Sequence, residues 1–166
     1  MKDTESYTEL DIEYLNKAIE LSGWSASKDG VLAGGPFGAI IVDKDGNIIG
    51  QAINNVLATN DPTAHAEIMA IRMACNNIKS FNLNDSILYT SCEPCPMCLM
   101  ASKWANIKKI FYAATRKDAD KIGFQDANLY KLLKRGKYAI FIKECRPSAV
   151  KAMKKWKKKF GDLVNY

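Results

Sequence analysis

His65-Ala66-Glu67 and Pro94-Cys95-Pro96-Met97-Cys98, separated by 26 residues, restrict the fold of this chain more than any other feature of its sequence. One imidazole and two thiols so far apart act together only if the fold brings two helix starts to one point. Cys95 and Cys98 are three apart at a predicted helix start, so their sulfurs share a face near the positive end of the helix dipole. Soft sulfur with imidazole selects zinc over magnesium or calcium, and three protein ligands leave a fourth tetrahedral position for water. Glu67 lies about 200° round a helix from His65, which suits a proton carrier beside the metal better than a fourth ligand. Two other readings stay open. Cys92, Cys95 and Cys98 could begin an iron–sulfur motif, although Ser102 stands where its fourth Cys belongs. A closed site of three Cys and His65 would leave Glu67 without a role. Cys92 reads as a buried strand-end residue, and Cys75 and Cys145 read as packing residues.

The remainder of the chain is that of an ordinary globular protein. Its 166 residues are 48% hydrophobic and 25% charged, enough for one domain with a core that needs no disulfide staples. No secretory or membrane-spanning run is visible, and a reducing cytoplasm is the expected compartment for clustered Cys. Charge is uneven: residues 1–130 carry 12 basic and 16 acidic side chains, whereas 131–166 carry 12 basic and 2 acidic. Such a basic end raises the question of a polyanionic partner.

Periodicity predicts a helix from Thr8 and Asp11 to about Ser27, with Ile12, Leu15, Ile19 and Ser22 on one side. A hairpin follows, Phe37–Val42 and Asn47–Val56 about the turn at Asp43–Gly46. Next come a helix over Thr63–Ile78 burying Ala66, Met69, Ala70 and Met73, a strand at Ser86–Thr90, a helix from Cys95 to about Ile107 and a strand at Lys109–Ala113. Short helices at Asp118–Ile122 and Asn128–Leu133, a fifth strand at Tyr138–Lys143 and a basic helix at Pro147–Phe160 complete the order. This alternation predicts an α/β protein, a three-layer α/β/α sandwich with a mixed five-stranded sheet.

The stretches Thr63–Glu67 and Ser91-Cys92-Glu93-Pro94-Cys95-Pro96-Met97-Cys98 resemble the cytidine deaminase superfamily, whose members remove exocyclic amines from heterocyclic bases. Within it, Gly34–Ala39, Asn54-Asn55-Val56, Asn60-Asp61-Pro62, Leu88-Tyr89-Thr90, Trp104-Ala105, Phe111–Ala114 and Gly123-Phe124 resemble the bacterial guanine deaminases. The resemblance implies a cytidine deaminase-like fold and one zinc per subunit on His65, Cys95 and Cys98, with Glu67 as the catalytic proton carrier. It also implies conversion of guanine to xanthine and ammonia, with Asn54, Phe37, Ala66, Trp104 and Asp126 around the base. On the same resemblance the chain is a homodimer whose segment 147–166 crosses to cover the partner's active site, with Tyr166 as lid residue. On residue chemistry alone Asn54 could instead cap a strand end, Asp126 could N-cap the helix at Asn128, and Phe37 and Trp104 could be plain core. A tRNA adenosine deaminase, with the basic C-terminal helix holding the nucleic acid, is the alternative, and guanosine or another amino-heterocycle is a further one. So is a zinc-stabilised RNA-binding module without catalysis.

Overall fold

The structure, a computed structural model, describes residues 7–24, 32–133, 146–148, 150, 151, 153 and 154; for 126, 127 and 132 it describes the backbone alone. The chain divides into two compact units, residues 1–134 and 135–166. The first holds the sheet and every element named below. In the second, the described residues are helical, in line with the predicted final helix.

Four strands, β1 (Gly38–Val42), β2 (Ile48–Ile53), β3 (Ile87–Cys92) and β4 (Lys109–Ala114), lie in the order β2-β1-β3-β4. The central strands β1 and β3 of the sheet are buried on both faces. β1 pairs antiparallel with β2 and β3, and β3 pairs parallel with β4, so the sheet is mixed as expected. It has four strands among the described residues rather than five, and the predicted fifth, 138–143, lies outside them. Successive side chains of a strand face opposite ways. Ala39, Ile41 and Leu88 accordingly enter one cluster with Ala66, Ala70 and Ala74 of helix α3 (Ala66–Ile78), while Ile40, Val42 and Tyr89 enter another with Tyr14 and Ala18 of helix α1 (Glu9–Trp24). Helices therefore cover both faces, which gives the three layers.

Two helix faces differ from the periodicity reading. In α1 the buried residues are Tyr14 and Ala18, with Leu15 and Leu21 packed beside them, and Ile12 and Ile19 are exposed. The helix is turned so that small Ala18 meets the sheet. In α3 the alanines face the sheet and Met73 is exposed, because the helix passes very close to β2: a Cβ at Gly50 would sit 2.4 Å from the Ala70 carbonyl oxygen. Met73 instead accepts a hydrogen bond on sulfur from the Gln51 N–H. α1 is described to Trp24, and the expected end at Ser27 lies outside the described residues; a four-residue helix, α2 (Val56–Thr59), follows the hairpin unforeseen. The remaining helices are α4 (Pro96–Trp104), α5 (Arg116–Lys121) and α6 (Asp126–Leu133).

Candidate active site

Two helix N-termini and the ends of two parallel strands meet at one place. His65 is the N-cap of α3 and Cys95 the N-cap of α4, both in extended conformation, with ψ of 153° and 167°. Each ligand residue thus sits just outside its helix. Cys98 lies within the first turn of α4, reached by the chain as it leaves β3 at Cys92. Upstream of His65 the Asp61 carboxylate accepts from the Thr63 N–H (2.8 Å) and hydroxyl (2.7 Å), and Arg72 pairs with it. This turn fixes the approach to His65.

His65 Nδ1 lies 3.6 Å from Cys95 Sγ and 3.5 Å from Cys98 Sγ, and the two sulfurs are 3.6 Å apart. A tetrahedral zinc, with bonds of about 2.3 Å to sulfur and about 2.05 Å to nitrogen, asks for roughly 3.8 Å between sulfurs and 3.6 Å between sulfur and nitrogen. The donor set fits zinc in type and in spacing. Among the described residues these three make up the group of convergent metal-binding side chains, and Cys92 is outside it. Its thiol is buried and donates to the Thr115 carbonyl oxygen at 3.6 Å, as a strand-end residue would.

The helix dipole alone does not hold both sulfurs as thiolates. The hydrogen bond between Cys95 and Cys98, assisted by His65, holds Cys95 down to about 4. The Cys98 thiol is pushed up, by its hydrogen bond with Cys95 and by burial. A cation between them removes the conflict, because it deprotonates coordinating thiols outright.

Glu67, 6% exposed, projects from the first turn of α3 and accepts a hydrogen bond of 3.1 Å on Oε1 from the Thr90 hydroxyl of β3. Burial lifts its carboxyl above the usual range, and the Cys95 charge adds to the effect. A cavity of about 430 Å³ opens over this floor, and its walls include His65, Glu67, Cys95, Asn54, Phe37 and Phe124. Asn54 is 4% exposed, and its Oδ1 accepts from the Val56 N–H at 3.2 Å. That bond caps the end of β2 and orients the amide. Phe37 and Phe124 stand edge to face, 4.8 Å between ring centres at 82°.

Of the other residues expected around a base, Ala66 is fully buried in the core cluster beneath the site. Trp104 is 75% exposed at the last turn of α4 and is absent from the cavity wall, where Phe124 supplies the second ring. α4 runs outward from the metal ligands, so its final residue is carried away from them. Asp126 opens α6, two residues earlier than Asn128, with its side chain outside the described residues. Tyr166 lies outside them as well. Sequence reasoning missed Thr90, Glu93 and the pairing of Phe124 with Phe37. Their signal was the same in each case: Thr90, Glu93 and Phe124 all fall in stretches of the resemblance, which did not give their roles.

The family described as the cytidine and deoxycytidylate deaminase zinc-binding region matches residues 8–114. The chain belongs to this deaminase family. It is a zinc-dependent aminohydrolase. Guanine deaminase from Bacillus subtilis is 54% identical over 120 residues, 71% of this chain and 73% of its own. The X-ray structure of guanine deaminase from that organism superposes with a TM-score of 0.77 at 40% identity, covering 93% of this chain and 96% of the other. The tRNA-specific adenosine deaminase of Haemophilus influenzae is 39% identical over 116 residues, 70% of this chain and 65% of its own. Among the described residues no helix of this deaminase is long and apolar enough to cross a membrane.

Proposed function

We propose that this deaminase converts guanine and water to xanthine and ammonia. The observation that carries this reading is the extent of the guanine deaminase likeness. It runs over 93% of the chain, past the end of the zinc-binding region at residue 114, whereas the adenosine deaminase likeness covers 70% of the chain at 39% identity.

The site chemistry supports it. Zinc on His65, Cys95 and Cys98 supplies Lewis acidity that brings the ionisation of water near neutral pH. Glu67, buried and raised, takes a first proton from the attacking water and passes it to the ring nitrogen beside the carbon under attack; it then takes the second proton from the newly added hydroxyl, which becomes the product carbonyl, and gives it to the amine as the C–N bond breaks and ammonia leaves. The Thr90 hydroxyl holds the carboxylate in line through these transfers. Since the Asn54 Oδ1 is occupied by the Val56 N–H, the amide meets the base through its Nδ2 donors, which match the acceptor oxygen and ring nitrogens of a purine edge. The Phe37 ring walls the base, with Phe124 edge-on behind it.

The proposal extends to a cytoplasmic homodimer built from one deaminase domain per chain. In it, segment 147–166 covers the partner's active site with Tyr166 as lid residue, and Asp126 accepts from base N–H groups. Ammonia release from guanine, beside guanosine and a tRNA with anticodon adenosine, tests the substrate. Guanine turnover that disappears in Glu67→Ala while zinc content stays at one per chain supports the reading. Turnover of the tRNA alone overturns it.

A further inference from the structure

The turn between β3 and α4 carries a metal ligand, and the structure holds it by more than its own backbone. The Glu93 N–H donates to the Ala114 carbonyl oxygen at 2.8 Å, continuing the β3–β4 pairing past Cys92. The Glu93 side chain leaves the turn on the side of α5. There one carboxylate oxygen pairs with the Arg116 guanidinium, and the other accepts the Arg116 backbone N–H at 3.0 Å. Above the same guanidinium lies the Tyr130 ring of α6, with its centre 4.1 Å away. The Tyr130 hydroxyl then returns to the turn, donating to the Pro94 carbonyl oxygen at 2.8 Å. Glu93, Arg116, Tyr130 and Pro94 thus close a circuit.

Glu93 lines the cavity, which invites a second reading as a proton carrier. Both of its oxygens are already engaged by Arg116, so it has a partner to hold and no place for a mobile proton. Its side chain is 15% exposed, against 35% for Asp61 and 49% for Asp118 in the ion pairs they make with Arg72 and Lys121. Water screens those two pairs far more than it screens this one. Phe124, the second ring of the cavity wall, lies between α5 and α6, the helices that supply Arg116 and Tyr130.

We propose that Arg116 is a positioning residue that locks the Glu93-Pro94-Cys95 turn to the α5–α6 arm, so that one side chain sets both the Cys95 ligand and the Phe124 wall. Without it the turn keeps its donors but not their fixed direction, and zinc leaves more readily. The arm loses its anchor at the same time, and the base is gripped less well. The kinetic half of this inference rests on guanine as substrate; the metal half does not.

The test uses full-length Arg116→Ala, Arg116→Lys and Tyr130→Phe loaded with one equivalent of zinc, reading zinc transfer to a colorimetric chelator and kcat and KM for guanine. Arg116→Ala is expected to release zinc about tenfold faster, the scale on which partners of metal ligands act. Its KM rises severalfold while kcat at saturating zinc and guanine changes little. Arg116→Lys recovers part of the zinc retention through its charge, without the planar stacking on Tyr130. A merely structural residue would lower the melting temperature and leave release and KM of the folded protein alone. Unchanged release, or unchanged KM, in Arg116→Ala overturns the proposal. If that variant does not fold, Tyr130→Phe decides by the same readings, since it removes one hydroxyl. If the parent enzyme does not turn over guanine, the substrate reading fails and the release rates alone decide on Arg116.

Discussion

A methyl group on Gly34 would come within 2.0 Å of Asn54 Oδ1 and 2.9 Å of the Asn54 carbonyl oxygen. Side chain and backbone of Asn54 are both held, by Val56 and by the Asn54 N–H donation to the Phe37 carbonyl oxygen at 3.0 Å, so the amide has little room to retreat. Gly34→Ala is therefore expected to keep zinc and fold while raising KM for guanine by about tenfold, the worth of about 1.4 kcal/mol. Steady-state kinetics beside a zinc assay checks it, and an unchanged KM would remove Asn54 from base recognition. Glu67→Gln should act in the opposite quarter, lowering kcat by about 10²–10⁴ with KM nearly kept, as loss of a proton carrier does. The convergence of His65, Cys95 and Cys98 was legible beforehand because it depends on spacing within two short stretches. The roles of Gly34, Thr90 and Glu93 were not, although all three fall in stretches of the resemblance. Each owes its place to a partner far along the chain, as Thr90 does to Glu67, and no local pattern records such a pair. Trp104 was placed at the base by resemblance, yet its position at the end of α4 leaves it in solvent.

At the scale of elements, α1 is fastened by one carboxylate. Asp11 accepts from the Thr8 N–H and hydroxyl, both at 2.7 Å, while its own N–H donates to the Thr8 hydroxyl at 3.2 Å, the reciprocal cap that the sequence predicted. Its second oxygen accepts from the Tyr89 hydroxyl at 2.7 Å, which ties the helix start to β3. Burial acts against ionisation here, but the Tyr89 and Thr8 hydrogen bonds outweigh it and hold the carboxyl below its usual 3.8. A carboxyl depressed by folding adds stability that is full above the unfolded value and is lost as the pH falls through the folded one. Asp11→Ala is expected to cost about 1–2 kcal/mol at neutral pH, combining the cap with the stranded tyrosine hydroxyl. In urea titrations that difference should shrink below about pH 4. A cost that persists undiminished at pH 3 would assign it to packing. Capping signals, turns and short apolar runs are local, which is why the hairpin and the succession of helices and strands along the chain could be read from sequence, while the order β2-β1-β3-β4 within the sheet could not. The faces of α1 and α3 could not, because Ala18, Ala70 and Gly50 were selected for closeness of approach and hydropathy does not report distance.

Across the whole molecule the charges divide into a mildly acidic body, 12 basic against 16 acidic side chains in residues 1–130, and an end with 12 against 2. The metal belongs to the body, where its donors come from the separate starts of α3 and α4. Chelation is thus expected to lower the melting temperature, and zinc at about a thousand times its dissociation constant to restore about 4 kcal/mol. The basic end asks a different question, and ionic strength answers it. Guanine is neutral near pH 7, so a site that binds the base has no long-range charge to screen, and its KM should stay within about twofold between 50 and 200 mM salt. A protein that grips six to ten phosphates would lose about 10³–10⁵ in affinity over the same range. Measuring KM for guanine and binding of a tRNA across that series separates the two uses of the chain. A flat guanine KM with weak, salt-sensitive tRNA binding leaves the lysines of 151–159 as a solvated surface that draws polyanions without selecting among them. Tight tRNA binding that holds at 200 mM, with guanine inert, would make that end the recognition element, and the substrate would have to be sought in nucleic acid.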